Sequence, residues 1–211
     1  MTLITGCEED VRDGMNGFER ALKRIADIFL ASVLLLFLSP LMLIIAVLIM
    51  KQRDGSVLFW QERIGRGGRT FNIMKFRTMP MNHEHDGIPR LEPNADEGQT
   101  ELQRFLRVYH LDELPQLWNV LVGDMSFVGP RPERRYFVEQ IMQKNPDYKY
   151  LFMIRPGVTS AATLYNGYTD TMEKMLVRLQ MDLNYLKTRT LWVDVKIIFT
   201  TALYILNGKR I

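Results

Sequence analysis

From Ile25 to Met50 the chain reads IADIFLASVLLLFLSPLMLIIAVLIM, an apolar run whose one charge is Asp27 near its start. About 20 apolar residues cross the hydrocarbon core of a bilayer, so this length points to a membrane segment. The run is too long and begins too far into the chain for a cleaved signal peptide, and no small-residue cleavage site follows it. Ser39-Pro40 falls near its middle, where proline removes a backbone hydrogen bond and crowds the preceding turn. Serine can re-satisfy some of the freed backbone groups, so a bent helix is tolerable in lipid. Lys23 and Arg24 precede the run while Lys51 and Arg53 follow it, and cytoplasmic flanks are the ones that carry excess Lys and Arg. A helix that enters, bends at Ser39-Pro40 and leaves on the same side satisfies both observations; a proline-kinked single span is the alternative.

The remainder reads as mainly helical with some β, an α+β arrangement. Residues 1–22 are expected as a flexible tail, 23–53 as a re-entrant helix–break–helix, and 54–211 as a catalytic domain packed on the membrane interface. Val57 to Arg63 and Thr70 to Phe76 are strand-like, and Gly65-Arg66-Gly67-Gly68 between them predicts a β-hairpin turn. Those glycines lack the spacing and the lysine–hydroxyl pair of a phosphate loop. Residues 80–100 read as an exposed loop, and His83, Glu84 and His85 within it as solvated side chains. Helices are expected over Thr100–Val108, Asp112–Val122, Pro132–Lys144, Thr171–Leu186 and Leu191–Leu206. The last of these is either core or a membrane-interface helix, where Trp and Tyr are favoured. The single cysteine, Cys7, excludes an intramolecular disulfide and any cysteine-based zinc cluster. A net charge of +3 suits anionic headgroups, phosphate substrates or nucleic acid, and selects none of them.

The richest stretch runs from Leu106 to Glu133. Asp112 is well placed as a helix N-cap, with Glu113 favouring the dipole and Pro115 in the first turn. A purely structural cap is one reading. The other is chemical. Adjacent carboxylates can share a divalent cation with a substrate diphosphate, because Mg²⁺ takes one or two carboxylates plus phosphate oxygens. A carboxylate is also a competent nucleophile toward phosphorus. Lys75, Arg77, Arg107 and Arg131 are the candidate phosphate clamps, and Arg131 is held between Pro130 and Pro132.

In ordered motifs the chain resembles the bacterial sugar transferase family, the small monotopic phosphoglycosyl transferases that act on polyprenyl phosphate. The matching residues are Lys23-Arg24, Ser39-Pro40, Gln61 to Gly65, Lys75 to Met79, Leu111 to Leu121, Gly123 to Glu133, and Arg155 to Thr159. The resemblance implies that Asp112 attacks the β-phosphate of a nucleotide-diphosphate sugar, a UDP-sugar above all, and expels the nucleoside monophosphate. The phosphosugar then passes to undecaprenyl phosphate, the first membrane step of glycoconjugate or exopolysaccharide assembly. It further implies Mg²⁺ held by Glu113 with Asp112, phosphate contacts from Lys75, Arg107 and Arg131, and a one-leaflet anchor on the cytoplasmic face of a bacterial inner membrane. Arg155, Pro156 and Gly157, with Asp182 and Tyr185 in an Asp-x-x-Tyr spacing, are candidates for nucleotide-sugar recognition. After Thr159 the sequence Ser160 to Tyr165 departs from the family pattern, which bears on donor choice.

Nucleic acid is not an expected partner; a homodimer is left open. A CDP-alcohol phosphatidyltransferase would need several spans and aspartates spaced along a helix. A membrane-anchored basic adaptor would need clustered Lys and Arg, which here are dispersed among prolines and glycines.

Overall fold

A computed structural model describes residues 11–52, 55–79, 99–167 and 169–207. Its first element, α1 (Gly17–Lys51), begins at a capping box in which Asn16 accepts from Glu19 N and Glu19 reaches back to Asn16 N. Part of the expected tail is docked rather than loose. Val11 and Met15 are buried, Gly14 N donates to Leu186 O, and Asp13 receives two 2.6 Å bonds from Arg189. Residues 1–10 and the expected His83-Glu84-His85 loop lie outside the described residues.

The expected break at Ser39-Pro40 does not interrupt the helix, which runs through Pro40. The physical reason is local. Pro40 cannot donate to the carbonyl four residues back, Leu36 O, and Ser39 Oγ donates to that same oxygen at 2.8 Å instead. Residues 32–41 are largely uncovered, whereas both ends of α1 return to the rest of the molecule. Near its start Lys23 Nζ pairs with Asp194 at 2.5 Å, Arg24 donates to Val120 O and Leu121 O, and Ala31 packs with Val120 and Met125. Near its end Ile45 and Ile49 pack with Phe76 and Leu106, and Gln52 reaches Thr100 Oγ1.

The hairpin forms as the turn chemistry predicts. β1 (Leu58–Ile64) pairs antiparallel with β2 (Thr70–Phe76), in a register that sets Phe59 opposite Lys75 and Arg63 opposite Phe71. Gly67 and Gly68 take positive φ in the turn. Next come α2 (Glu101–Val108), opened by a Thr100 capping box, and α3 (Gln116–Val122). Two three-residue strands, β3 (Ser126–Val128) and β4 (Gly157–Thr159), pair in parallel. Between them lie α4 (Arg135–Lys144) and a 3₁₀ run over Pro146–Met153. The chain closes with α5 (Ala161–Asn166), α6 (Met172–Thr188) and α7 (Leu191–Leu206).

Two expected helix starts move. Pro132 lies outside α4, which begins at Arg135, and Asp112 lies outside α3. The strands β3 and β4 and the helix α5 were not legible as periodic segments, being too short to show a period.

One side chain locks the hairpin to α3. Asn119, 3% exposed, accepts from Met74 N at 3.0 Å and donates to Asn72 O at 2.8 Å, so it continues the β2 edge as a strand would. Replacing Asn119 with Ala removes the partner of a part-buried donor and acceptor on β2. The expected loss is roughly 2–4 kcal/mol of unfolding free energy, measured by denaturant titration of the detergent-solubilised protein; a loss below about 0.5 kcal/mol would show that β2 is held by other means.

Candidate active site

Asp112 and Glu113 sit in a 3₁₀ turn, Leu111–Glu113, between α2 and α3. The N-cap expectation for Asp112 is therefore corrected: Pro115 holds the capping position of α3, and its side chain makes no capping hydrogen bond. The turn arises because His110 adopts a left-handed conformation, φ 52 and ψ 22. That geometry ends α2, with His110 N donating to Arg107 O, and redirects the chain inward. A non-glycine residue pays about 1 kcal/mol for it, and such strain concentrates at functional sites.

Asp112 is buried, 7% exposed, and Glu113 beside it is half-buried. Lys75 Nζ, carried on β2, meets Glu113 Oε1 at 2.6 Å. Burial pushes the Asp112 carboxyl up to about 6; Lys75 and Arg107 offset this in part, and the charge of Glu113 adds to it. Burial also acts to raise Glu113, but Lys75, Arg131 and His110 outweigh it and hold that carboxyl below the usual range. The environment thus separates two chemically similar neighbours, one carboxyl held ionised and the other raised by burial, a pattern typical of acid–base and nucleophilic sites. Burial lowers His110, and its Nε2 has no hydrogen-bond partner among the described residues.

The expected clamps divide. Lys75, Arg107 and Arg131 act electrostatically on the carboxylate pair. Arg77 donates to Ser56 Oγ at the base of the hairpin. Arg131 lies on a run fixed from both sides. Gly129 N donates to Thr159 O and Gly157 N to Pro130 O, while Arg63 Nη1 donates to Pro132 O and Ile64 N to Glu133 O. A methyl at Gly157 would collide with Gly129 N, and one at Gly129 with Arg155 O, so β3 and β4 approach backbone to backbone.

The residues expected for nucleotide-sugar recognition do not share one loop. Arg155 Nε donates to Gly123 O at 2.8 Å, and Pro156 and Gly157 brace the Arg131 run from behind. Tyr185 is buried in α6 and its hydroxyl donates to Asp194 at 2.6 Å, joining the Lys23 pair. Asp182 is 2% exposed, and burial pushes it up to about 7. Nearby stands a network that sequence reasoning did not assemble: Glu133 receives Arg178 Nη1 at 2.8 Å and lies 3.6 Å from Arg63. The clue available was Arg178 four residues before Asp182 on one helix, a spacing that puts both on one face.

Comparison with known proteins is consistent across the chain. The family model described as bacterial sugar transferase matches residues 18–208. The UDP-N-acetylgalactosamine-undecaprenyl-phosphate N-acetylgalactosaminephosphotransferase of Aeromonas hydrophila is 41% identical over 187 residues, covering 89% of this chain and 44% of that protein. The UDP-glucose:undecaprenyl-phosphate glucose-1-phosphate transferase of Escherichia coli is 40% identical over 190 residues, covering 89% and 41%. A protein of the same description from Caulobacter vibrioides is 38% identical over 182 residues, covering 85% and 68%. The chain therefore spans less than half the length of the first two relatives and about two thirds of the third. Since the matched span takes in the carboxylate pair, the clamps and the apolar helix alike, the chain belongs to the bacterial sugar transferase family.

Proposed function

We propose that this protein transfers a sugar 1-phosphate from a nucleotide-diphosphate sugar, a UDP-sugar, to a polyprenyl phosphate such as undecaprenyl phosphate. The observation that carries the reading is the buried Asp112 beside half-buried Glu113, with Lys75 2.6 Å from Glu113 and the charges of Arg107 and Arg131 acting on the pair. An anionic diphosphate needs cations around it and a nucleophile that water does not shield. The descriptions of the relatives support the substrate class.

The steps balance as two displacements at phosphorus. An Asp112 oxygen bonds to the β-phosphorus while the bond to the oxygen bridging the α-phosphate breaks, and UMP leaves. An oxygen of the lipid phosphate then attacks the same phosphorus, giving polyprenyl-diphosphate-sugar and restoring the carboxylate. Arg107 and Arg131 hold phosphate oxygens, and Lys75 keeps Glu113 ionised and oriented. The donor set fits magnesium: two adjacent hard oxygens from Asp112 and Glu113, with phosphate oxygens and water to complete the shell, as Mg²⁺ prefers. Among the described residues no group of three or more His, Cys, Asp or Glu gathers into an all-protein cage. When bound, the ion would neutralise diphosphate charge.

The same reading places the enzyme on the cytoplasmic face of a bacterial inner membrane, with α1 entering and leaving one leaflet. Its support is that both ends of α1 are tied to the body carrying the carboxylates, while the apolar middle is uncovered. On α7, Trp192, Val195 and Phe199 form a second exposed apolar stripe suited to the interface.

Three measurements test this. With UDP-sugar, undecaprenyl phosphate and Mg²⁺, Asp112→Asn should cut UMP release by roughly a thousandfold or more. A reaction quenched midway and digested should show the phosphosugar on the peptide containing Asp112; an adduct elsewhere rejects this nucleophile. EDTA should abolish turnover, and Mg²⁺ should restore it.

In EDTA, Asp112→Asn should also stabilise the fold. The Asp112 carboxyl titrates higher folded than unfolded, so its ionisation opposes folding. The penalty is absent below about pH 4, grows to about pH 6 and is constant above, where the variant should exceed the parent by roughly 1–3 kcal/mol. A pH-independent gap would rule out this origin.

For topology, Arg20→Cys and Lys51→Cys, each in a Cys7→Ser background, should label from the same side of sealed vesicles. A straight helix would separate them by about 46 Å, enough to place them on opposite faces. Labelling from opposite sides establishes a through-span.

A further inference from the structure

Beside Arg131 a small cavity is lined by Glu133, Tyr148, Arg178 and Asp182 over an apolar floor that includes Leu179. It has room for a group of about the size of one water. Two buried polar atoms of its lining residues lack a hydrogen-bond partner among the described residues: Asp182 Oδ1 and Arg178 Nε. Both Nη nitrogens of Arg178 have a partner, Nη1 with Glu133 at 2.8 Å and Nη2 with Thr169 Oγ1. The two atoms with none, the Arg178 Nε donor and the Asp182 Oδ1 oxygen, stand a turn apart on the same face of α6.

That pairing is selective. A phosphate oxygen could accept from Arg178 but would meet the Glu133 carboxylate as a like charge. An amide N–H could satisfy Asp182 and leave Arg178 unmet. A hydroxyl satisfies both at once, accepting from Nε–H and donating to Oδ1. The cavity shares Arg131 with the carboxylate site, since the charge of Arg131 acts on Glu113. Arg131 is thus the residue common to the cavity and the carboxylate site.

We propose that Arg178 and Asp182 form a hydroxyl subsite that takes one ring hydroxyl of the donor whose phosphate Arg131 holds, making them specificity-determining residues on α6. This rests on the transferase reading above. The hydroxyl belongs either to the ribose of the nucleotide or to the transferred sugar, and the two sources separate experimentally.

The test compares donors on a single enzyme preparation, so that any loss of fold or of active fraction cancels. The parent is first assayed with UDP-glucose and UDP-N-acetylgalactosamine. The better donor is then compared with its 2′-deoxy and 3′-deoxy ribose analogues and with analogues lacking one pyranose hydroxyl at a time. One analogue should lose roughly 10- to 100-fold in kcat/KM, as when buried polar groups are left unmet. A ribose analogue would assign the subsite to the nucleotide, a pyranose analogue to the sugar. In Asp182→Ala the same analogue and the full donor should be used within about threefold of each other, and Arg178→Lys, which keeps the charge beside Glu133, should lose the discrimination likewise. A role confined to folding would lower turnover of all donors together and leave their ratio intact. Equal use of every analogue by the parent, or discrimination that survives both substitutions, overturns the subsite and leaves the cavity to a water molecule. No transfer by the parent from any UDP-sugar donor overturns the transferase reading, and the subsite with it.

Discussion

Two carboxylates on adjacent residues repel each other, and taking them out of water makes ionisation harder still. The architecture around Asp112 and Glu113 follows from that difficulty. Lys75 must reach Glu113 from a different part of the chain, so β2 has to be held at a fixed distance from the 3₁₀ turn. Asn119 achieves this by bonding to the β2 backbone on both its donor and acceptor sides, three residues after the start of α3. With Glu113 secured as an anion, Asp112 becomes the member of the pair whose carboxyl burial raises. The left-handed His110 is part of the same solution, because a regular continuation of α2 would not direct both side chains inward.

A second set of contacts ties this chemistry to the apolar helix. Lys23, Asp194 and Tyr185 join α1, α7 and α6 in one buried chain of charge-assisted bonds, and Arg24 caps the carbonyl end of α3. Cations at a helix C-terminus interact favourably with its dipole, so Arg24 strengthens the helix that begins just beyond the carboxylates. Ala31 packs against Val120 of the same helix. The two helices are thereby joined directly, without an intervening loop.

How far the sequence disclosed all this depended on the range of each interaction. The apolar run, the hairpin and the later helices were legible because their signals lie within a few neighbouring residues. Thr100, Thr171 and Thr190 stand at helix starts as N-cap chemistry requires. Asp112 misled for the same reason: its local sequence suits a cap, and only the positive φ of His110 shows that it is not one. Lys75, Arg107 and Arg131 were nominated by residue type, but their convergence on the pair is a tertiary fact. The Arg63–Glu133–Arg178 network was out of reach, since its partners lie about 70 and 45 residues apart along the chain. Tyr185, nominated from spacing, turned out to tether helices.

Gly129 and Gly157 meet with no space for even a methyl group between their backbones. A side chain on either glycine would wedge the two backbones apart, so the arginine-bearing turn owes its position to what is missing at this seam as much as to the bonds across it.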